Sequence, residues 1–151
     1  MMMKDLPLET VRKMMRMVPQ LAALGAEVVA LDEARATLRL PYNARLVAYR
    51  ETGVMAGGAV FTLMDSAMGA AVFCALEQLL PVATLDLRID YLKPAKRGVD
   101  LLARAECYRL THHVAFVRGT AYHAPEDAVA QAVGTFIIDR SKSPRRARND
   151  A

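Results

Sequence analysis

The 151-residue chain has no Trp, two Cys and three His, and each shortage removes a class of chemistry. Cys74 and Cys107 stand apart in apolar surroundings, with no C-x-x-C pair and no ligand spacing. They are expected to be reduced, buried and inert, not part of a disulfide framework or a thiolate metal site. No His occurs before His112, and His112, His113 and His123 have neither metal spacing nor a cysteine partner in sequence. No metal or redox cofactor is therefore expected. No phosphate loop, dinucleotide fingerprint or G-x-S-x-G elbow occurs either.

A basic surface is also missing, although the net charge is +4 and the pI about 9.3. Arg140, Lys142, Arg145, Arg146 and Arg148, set against Asp150 alone, account for the whole excess, and residues 1–139 carry as many acidic as basic side chains. The charge belongs to a tail, which argues against a nucleic-acid partner. The first fifteen residues contain no apolar run of signal-peptide length, so the cytoplasm is the expected compartment. With 54% hydrophobic and 24% charged residues, the chain reads as one globular domain over residues 1–139 and a frayed, solvated tail over 140–151.

What the sequence does have is a run of 23 residues, 54–76, whose only charge is Asp65. After its glycine pair it reads as a helix apolar nearly all round, which must be enclosed. A membrane would be one enclosure by length. An Asp at mid-span, costing about 2.5 to 3.5 kcal/mol on insertion scales, argues against it, as does the lack of a flanking basic cluster. A sheet is the other enclosure, and the rest of the chain supplies it. Residues 26–31 and 34–40 read as a hairpin, the second strand alternating with Ala36, Leu38 and Leu40 on one side. Residues 82–92 alternate strictly, with Leu85, Leu87, Ile89 and Tyr91 facing one way and Thr84, Asp86, Arg88 and Asp90 the other. Residues 99–110, 114–123 and 128–138 follow, separated by short turns, so the four strands read as an antiparallel meander, with a bulge near Leu101-Leu102. Ahead of them, Leu8, Val11, Met14, Met15 and Val18 form one face of a short helix stopped near Pro19. The expected class is α+β: an antiparallel sheet around one long central helix, with a short N-terminal helix.

Two features of the central stretch carry chemistry. A buried carboxylate costs on the order of several kcal/mol unless paired or used, and no Lys or Arg lies within a helical turn of Asp65. Either it accepts hydrogen bonds from the backbone, Thr62 or Ser66, or it acts as a base. Gly57 and Gly58 at the helix entry either let helix and sheet approach or present free amides, at the positive end of the helix dipole, to an oxygen gaining charge. Gly57 and Asp65 are eight residues apart, about 12 Å along one helix axis. One small reacting group cannot touch both, so a site that uses both needs a second copy of the chain, with two equivalent sites in a homodimer.

Residues 56–67 (AGGAVFTLMDSA) and 84–95 (TLDLRIDYLKPA) resemble the PaaI-type acyl-CoA thioesterases of the hotdog fold, whose signature is HGGxxxxLxDxA followed by a strand ending in Y-x-x-P-A. The resemblance covers about residues 25–139. It implies a sheet-wrapped helix, dimers and often tetramers, and hydrolysis of acyl-CoA thioesters with no cofactor, coenzyme A being part of the substrate. By position Asp65 matches the catalytic carboxylate, as nucleophile or base; Gly57 matches the amide that polarises the carbonyl; Thr84 matches a hydroxyl that orients water. Ala56 and Gly58 fall in the substrate-binding segment beside Gly57. Two departures stand out: the family His is Ala56 here, and the Asn six residues before it is Arg50. Either Arg50 or Glu51 then takes up positioning, or activity is weak. Arg50, Lys93, Lys96 and Arg97 are candidates for the coenzyme A phosphates, against a plain solvated turn for the last three. Thr84 reaches Asp65 only if its strand twists or bulges at its start. The missing His also motivates a rival, an acyl-CoA or fatty-acid binding protein without turnover.

Overall fold

The structure, a computed structural model, describes residues 1–142. In chain order it contains α1 (Leu8–Arg16), α2 (Pro19–Leu24), β1 (Glu27–Asp32), β2 (Arg35–Leu40), α3 (Gly57–Ala75), β3 (Val82–Tyr91), β4 (Leu101–Leu110), β5 (Val114–Tyr122) and β6 (Ala128–Ile138). Single 3-10 turns lie at Met3–Asp5, Ala44–Leu46 and Arg140–Lys142. The expected tail beyond residue 142 lies outside the described residues.

By length and composition α3 could cross a membrane, yet ten of its nineteen residues are buried against the protein itself. The enclosure is one antiparallel sheet of six strands in the order β1-β2-β4-β5-β6-β3. Its inward face presents Ala36, Leu38 and Leu40 from β2, Leu101 and Ala103 from β4, and Ala115 and Val117 from β5, all 1% exposed or less. This is the hotdog arrangement that the resemblance implies. Where the sheet closes most tightly on the helix, side chains disappear. A Cβ on Gly134 would lie 2.7 Å from the Asp86 carbonyl oxygen and 3.1 Å from Met68 Cε, and one on Gly119 would lie 3.3 Å from Met64 Cε. Two strand glycines thus make room for two helix methionines.

The four-strand meander needs correcting. Strands β4, β5 and β6 do follow one another as neighbours, but β3 pairs with β6 at the far edge, and β4 pairs with β2. Alternation within a strand says which face is apolar, not which strand lies alongside. The connection over residues 92–100 crosses β6 and β5 instead of turning back, and it is fastened along its length. Lys93 and Lys96 both reach the Asp127 carboxylate, Lys96 at 2.7 Å. His123 Nε2 accepts from the Lys96 amide at 2.8 Å, which leaves Nδ1 to donate to the Asp100 carbonyl at 2.9 Å. The Tyr42 amide donates to Asp100 Oδ1 at 2.8 Å.

Three local corrections follow from backbone irregularities. The bulge in β4 lies at Tyr108, between Cys107 and Arg109, not near Leu101-Leu102. A second bulge, in β3, falls between Thr84 and Asp86, so Leu85 is squeezed out of register and is 56% exposed instead of packing beside Leu87. Pro19 does end the first helix, but it also begins α2 at the first-turn position a proline suits, and α2 closes on Gly25 in the left-handed region at φ 73°.

A methyl group added by Gly134→Ala should overpack the β3–β6–α3 junction and lower stability by about 1 to 3 kcal/mol in urea unfolding; an unchanged midpoint would contradict the tight closure. Lys93 and Lys96 hold the Asp127 carboxyl well below the usual Asp range, at about 2. A depressed folded-state value means a contribution present above the unfolded value, about 3.9, and lost as pH falls through about 2. Asp127→Asn should therefore remove the part of the acid destabilisation that falls between those two values, seen by comparing wild-type and variant denaturation at pH 6 and pH 2.5.

Candidate active site

The chain enters α3 through a fixed loop: the Ala56 amide donates to the Leu46 carbonyl at 2.7 Å, and Val47 bridges Met55. Ala56 is the N-cap, in extended conformation, and has no side chain able to cap. The first amides to find a backbone acceptor are those of Ala59 and Val60, both on the Ala56 carbonyl at 3.0 and 3.3 Å. Gly57 and Gly58 are exposed, and among the described residues their N–H groups have no acceptor. This is the orphan-donor end of a long helix, carrying the positive end of its dipole. Tyr91, at the end of β3, packs over it: its hydroxyl donates to the Gly57 carbonyl at 2.8 Å, and a Cβ on Gly57 would meet the ring at 3.4 Å. Partial burial pushes the Tyr91 phenol up, which keeps it a proton donor.

Two turns further on, Asp65 faces the start of β3. The Thr84 hydroxyl donates to Asp65 Oδ1 at 2.7 Å. The bulge at Leu85 is what makes this contact possible. Thr84 pairs with Phe136 and Leu87 with Gly134, so the extra residue between them flips Thr84 to the helix side, which strict alternation had denied it. Thr62 and Ser66, the hydroxyls that alternatively could have served Asp65, turn back onto the Gly58 and Thr62 carbonyls at 3.0 and 2.7 Å. The full burial expected for Asp65 is corrected: its environment in the single chain is half-buried, and Thr84 beside it is exposed. Both line a cavity of about 340 Å³, together with Met3, Met15, Val18, Leu21 and Phe73, among others. A larger depression, about 650 Å³, lies on the outer side of the sheet. There Glu106 pairs with both Arg35 and Arg118, beside Arg104 and Asp90, and the depression contains no part of Asp65 or the helix entry.

The remaining candidates separate. Arg50 and Glu51 are exposed in the turn before α3. Arg97 joins that turn, its stem lying where a side chain on Gly53 would be, 2.5 Å from Cδ, and Gly53 tolerates this with φ 65°. Lys93 and Lys96 turn instead to Asp127. Cys74 and Cys107 are free and buried, and burial pushes the Cys74 thiol up to about 11. Among the described residues no three His, Cys, Asp or Glu side chains gather as metal ligands. Sequence reasoning had placed Tyr91 on the apolar face of its strand and in the strand-ending motif, and missed it as the partner of Gly57. It also missed the cavity, whose walls come from four separated segments; Gly69 in mid-helix was the available signal.

Residues 52–130 match the family profile described as the thioesterase superfamily. A putative esterase of Halobacterium salinarum is 40% identical over 93 residues, which span 60% of this chain and 60% of that protein's length. A medium/long-chain acyl-CoA thioesterase, YigI, of Salmonella typhimurium is 25% identical over 77% of this chain and 83% of its own. Among solved structures, a Pseudomonas aeruginosa protein is 43% identical with a TM-score of 0.78, covering 87% of this chain and 98% of its own. The phenylacetic acid degradation protein PaaI of Thermus thermophilus is 28% identical with a TM-score of 0.69, covering 79% and 97%. A profile match over half the chain, on a sheet-wrapped helix that overlays PaaI, leaves one assignment: the chain belongs to the thioesterase superfamily, a family of thioester hydrolases, as a PaaI-like member with the hotdog fold.

Proposed function

We propose that the protein hydrolyses acyl-CoA thioesters at two sites shared between the protomers of a homodimer. The observation that carries this reading is the Thr84–Asp65 hydrogen bond in the lining of an apolar cavity, on the same helix as, but about 12 Å from, the unpaired amides of Gly57 and Gly58. The edge strand supplies the means of closing that gap. Strand β3 is ten residues long and pairs on one side only, with exposed Leu85 and Tyr91 along it, which is a template for another strand. Thr84 holds Asp65 at one end of β3 and Tyr91 holds Gly57 at the other. Antiparallel pairing of β3 with its own copy about Leu87 and Arg88 brings Thr84 and Asp65 of one protomer to Tyr91 and Gly57 of its partner. The two-fold axis repeats the arrangement.

In the reaction, the thioester carbonyl oxygen accepts from the Gly57 amide, with Gly58 and Ala56 beside it, and gains negative charge there as the tetrahedral intermediate forms. Asp65 of the other protomer takes a proton from a water that Thr84 helps orient, or attacks the carbonyl itself to form a mixed anhydride that this water then hydrolyses, giving up its proton. A C–O bond forms, the C–S bond breaks, and the departing thiolate of coenzyme A receives the proton. Arg50, Glu51 and Arg97 stand at the turn leading into the amide end, the side on which the coenzyme A phosphates would leave the site; Lys93 and Lys96, occupied by Asp127, are weaker candidates for that role. The acyl-CoA thioesterase YigI supports the same substrate class. The chemistry needs no cofactor, and two free, buried thiols suit the reducing cytoplasm.

Ala56 in place of a histidine favours a second reading, a protein that binds acyl-CoA and releases nothing. Incubation with a panel of acyl-CoAs and a thiol reagent separates the two. The hydrolase reading expects thiol release that falls at least 100-fold in Asp65→Asn while the variant unfolds normally in urea. Tight acyl-CoA binding without thiol release, or full turnover in Asp65→Asn, overturns it.

A further inference from the structure

The cavity behind Asp65 has the dimensions of a particular acyl group. Its floor is one face of α3: Asp65, Ser66, Gly69, Ala70 and Phe73, at steps of one, three, one and three residues. From Asp65 to Phe73 is eight residues, about 12 Å. Val82 and Thr84 of β3 and Phe136 of β6 form the side wall, and Met15 of α1, Val18 just before α2 and Leu21 of α2 form the roof, with Met3 beside them. The polar groups at the Asp65 end are already engaged. Thr84 bonds Asp65, and the Ser66 hydroxyl bonds the Thr62 carbonyl, so the rest of the space offers only hydrocarbon. It runs from the reacting end toward the C-terminus of α3, away from Gly57.

Gly69 is the residue that leaves the space open. Glycine in mid-helix destabilises relative to alanine, and the fold does not demand it here. A Cβ would meet Phe136 Cε1 at 3.7 Å, an ordinary contact. What the missing side chain preserves is volume next to Asp65.

Resting on the acyl-CoA reading above, we infer that this channel selects a saturated medium-length acyl chain of about nine to eleven carbons, with Gly69 keeping it open and Phe73 ending it. Two measures agree. An extended chain advances slightly less than one C–C bond length, about 1.5 Å, per carbon, so 12 Å takes about nine carbons. A volume of about 340 Å³, at roughly 30 Å³ for each group about the size of a water molecule, takes about eleven. The roof is two short helices whose contact residues include a methionine, which adapts to a chain more readily than to a rigid ring. The specificity element is therefore the N-terminal segment laid across α3, and the selecting positions lie on the α3 face beneath it.

The test measures kcat/KM for saturated acyl-CoAs from two to sixteen carbons, and the affinity for the same series by titration calorimetry, in wild type, Gly69→Leu, Gly69→Ala and Phe73→Ala. Wild type should prefer nine to eleven carbons. Gly69→Leu should lower the decanoyl to butyryl ratio at least tenfold in both readouts, with Gly69→Ala, whose methyl the fold accepts, shifting it the same way by less. Phe73→Ala should move the preference to longer chains. Ratios that stay unchanged in all three folded variants overturn the channel while Asp65-dependent turnover leaves the hydrolase reading intact. If wild type binds acyl-CoA without turnover, the affinity series alone decides: length-dependent binding shifted by Gly69→Leu upholds the channel, and indifference to Gly69 refutes it.

Discussion

A straight helix cannot bring its first amide to its third turn, and that constraint shapes the rest of the molecule. α3 is unbroken from Gly57 to Ala75, so the two groups able to act on a carbonyl stay about 12 Å apart whatever the sheet does. The fold answers by tying each to the same edge strand, Gly57 through Tyr91 and Asp65 through Thr84, and by leaving the other side of that strand unpaired. On the proposed function, each protomer then holds two half-sites. A half-buried Asp65 and exposed Thr84 in a single chain fit half-sites that a partner would cover.

Packing sets how faithfully the strand presents those half-sites. The sheet curls round α3 because small residues line the contact: Ala67 and Ala71 on the helix are fully buried, and Gly119 and Gly134 on the strands admit Met64 and Met68. Leucine at these positions would hold the layers apart. The bulge at Leu85 belongs to the same economy. One extra residue in β3 turns Thr84 inward without disturbing the alternation of Leu87 and Ile89 further along, so the Thr84–Asp65 contact and an apolar face coexist in one strand.

The legible parts of the sequence were those with local causes. The apolar run broken by one Asp gave the core helix, and alternation at Ala36, Leu38 and Leu40 gave a buried strand face. Neighbours in the sheet were not legible, because pairing β3 with β6 depends on a nine-residue crossover held by Lys93, Lys96, His123 and Asp100, contacts between residues distant in the chain. Bulges were partly legible. The need for one near Thr84 followed from requiring it to reach Asp65, whereas the one at Tyr108 was misplaced because a leucine pair mimics a slipped phase where the strand merely begins. The cavity was signalled only by Gly69 in mid-helix, since its walls meet only when the N-terminal helices fold over α3.

The shared site is most directly tested by mixing two inactive chains. Asp65→Asn keeps the amide and loses the acid. Gly57→Pro loses the amide and keeps the acid, at a first-turn position where proline is well accepted. Exchange of subunits at equal concentrations makes half of the dimers mixed, each with one of its two sites intact, so about a quarter of wild-type thioesterase activity should return. Mixed dimers that form and remain inactive would contradict a site built from two protomers.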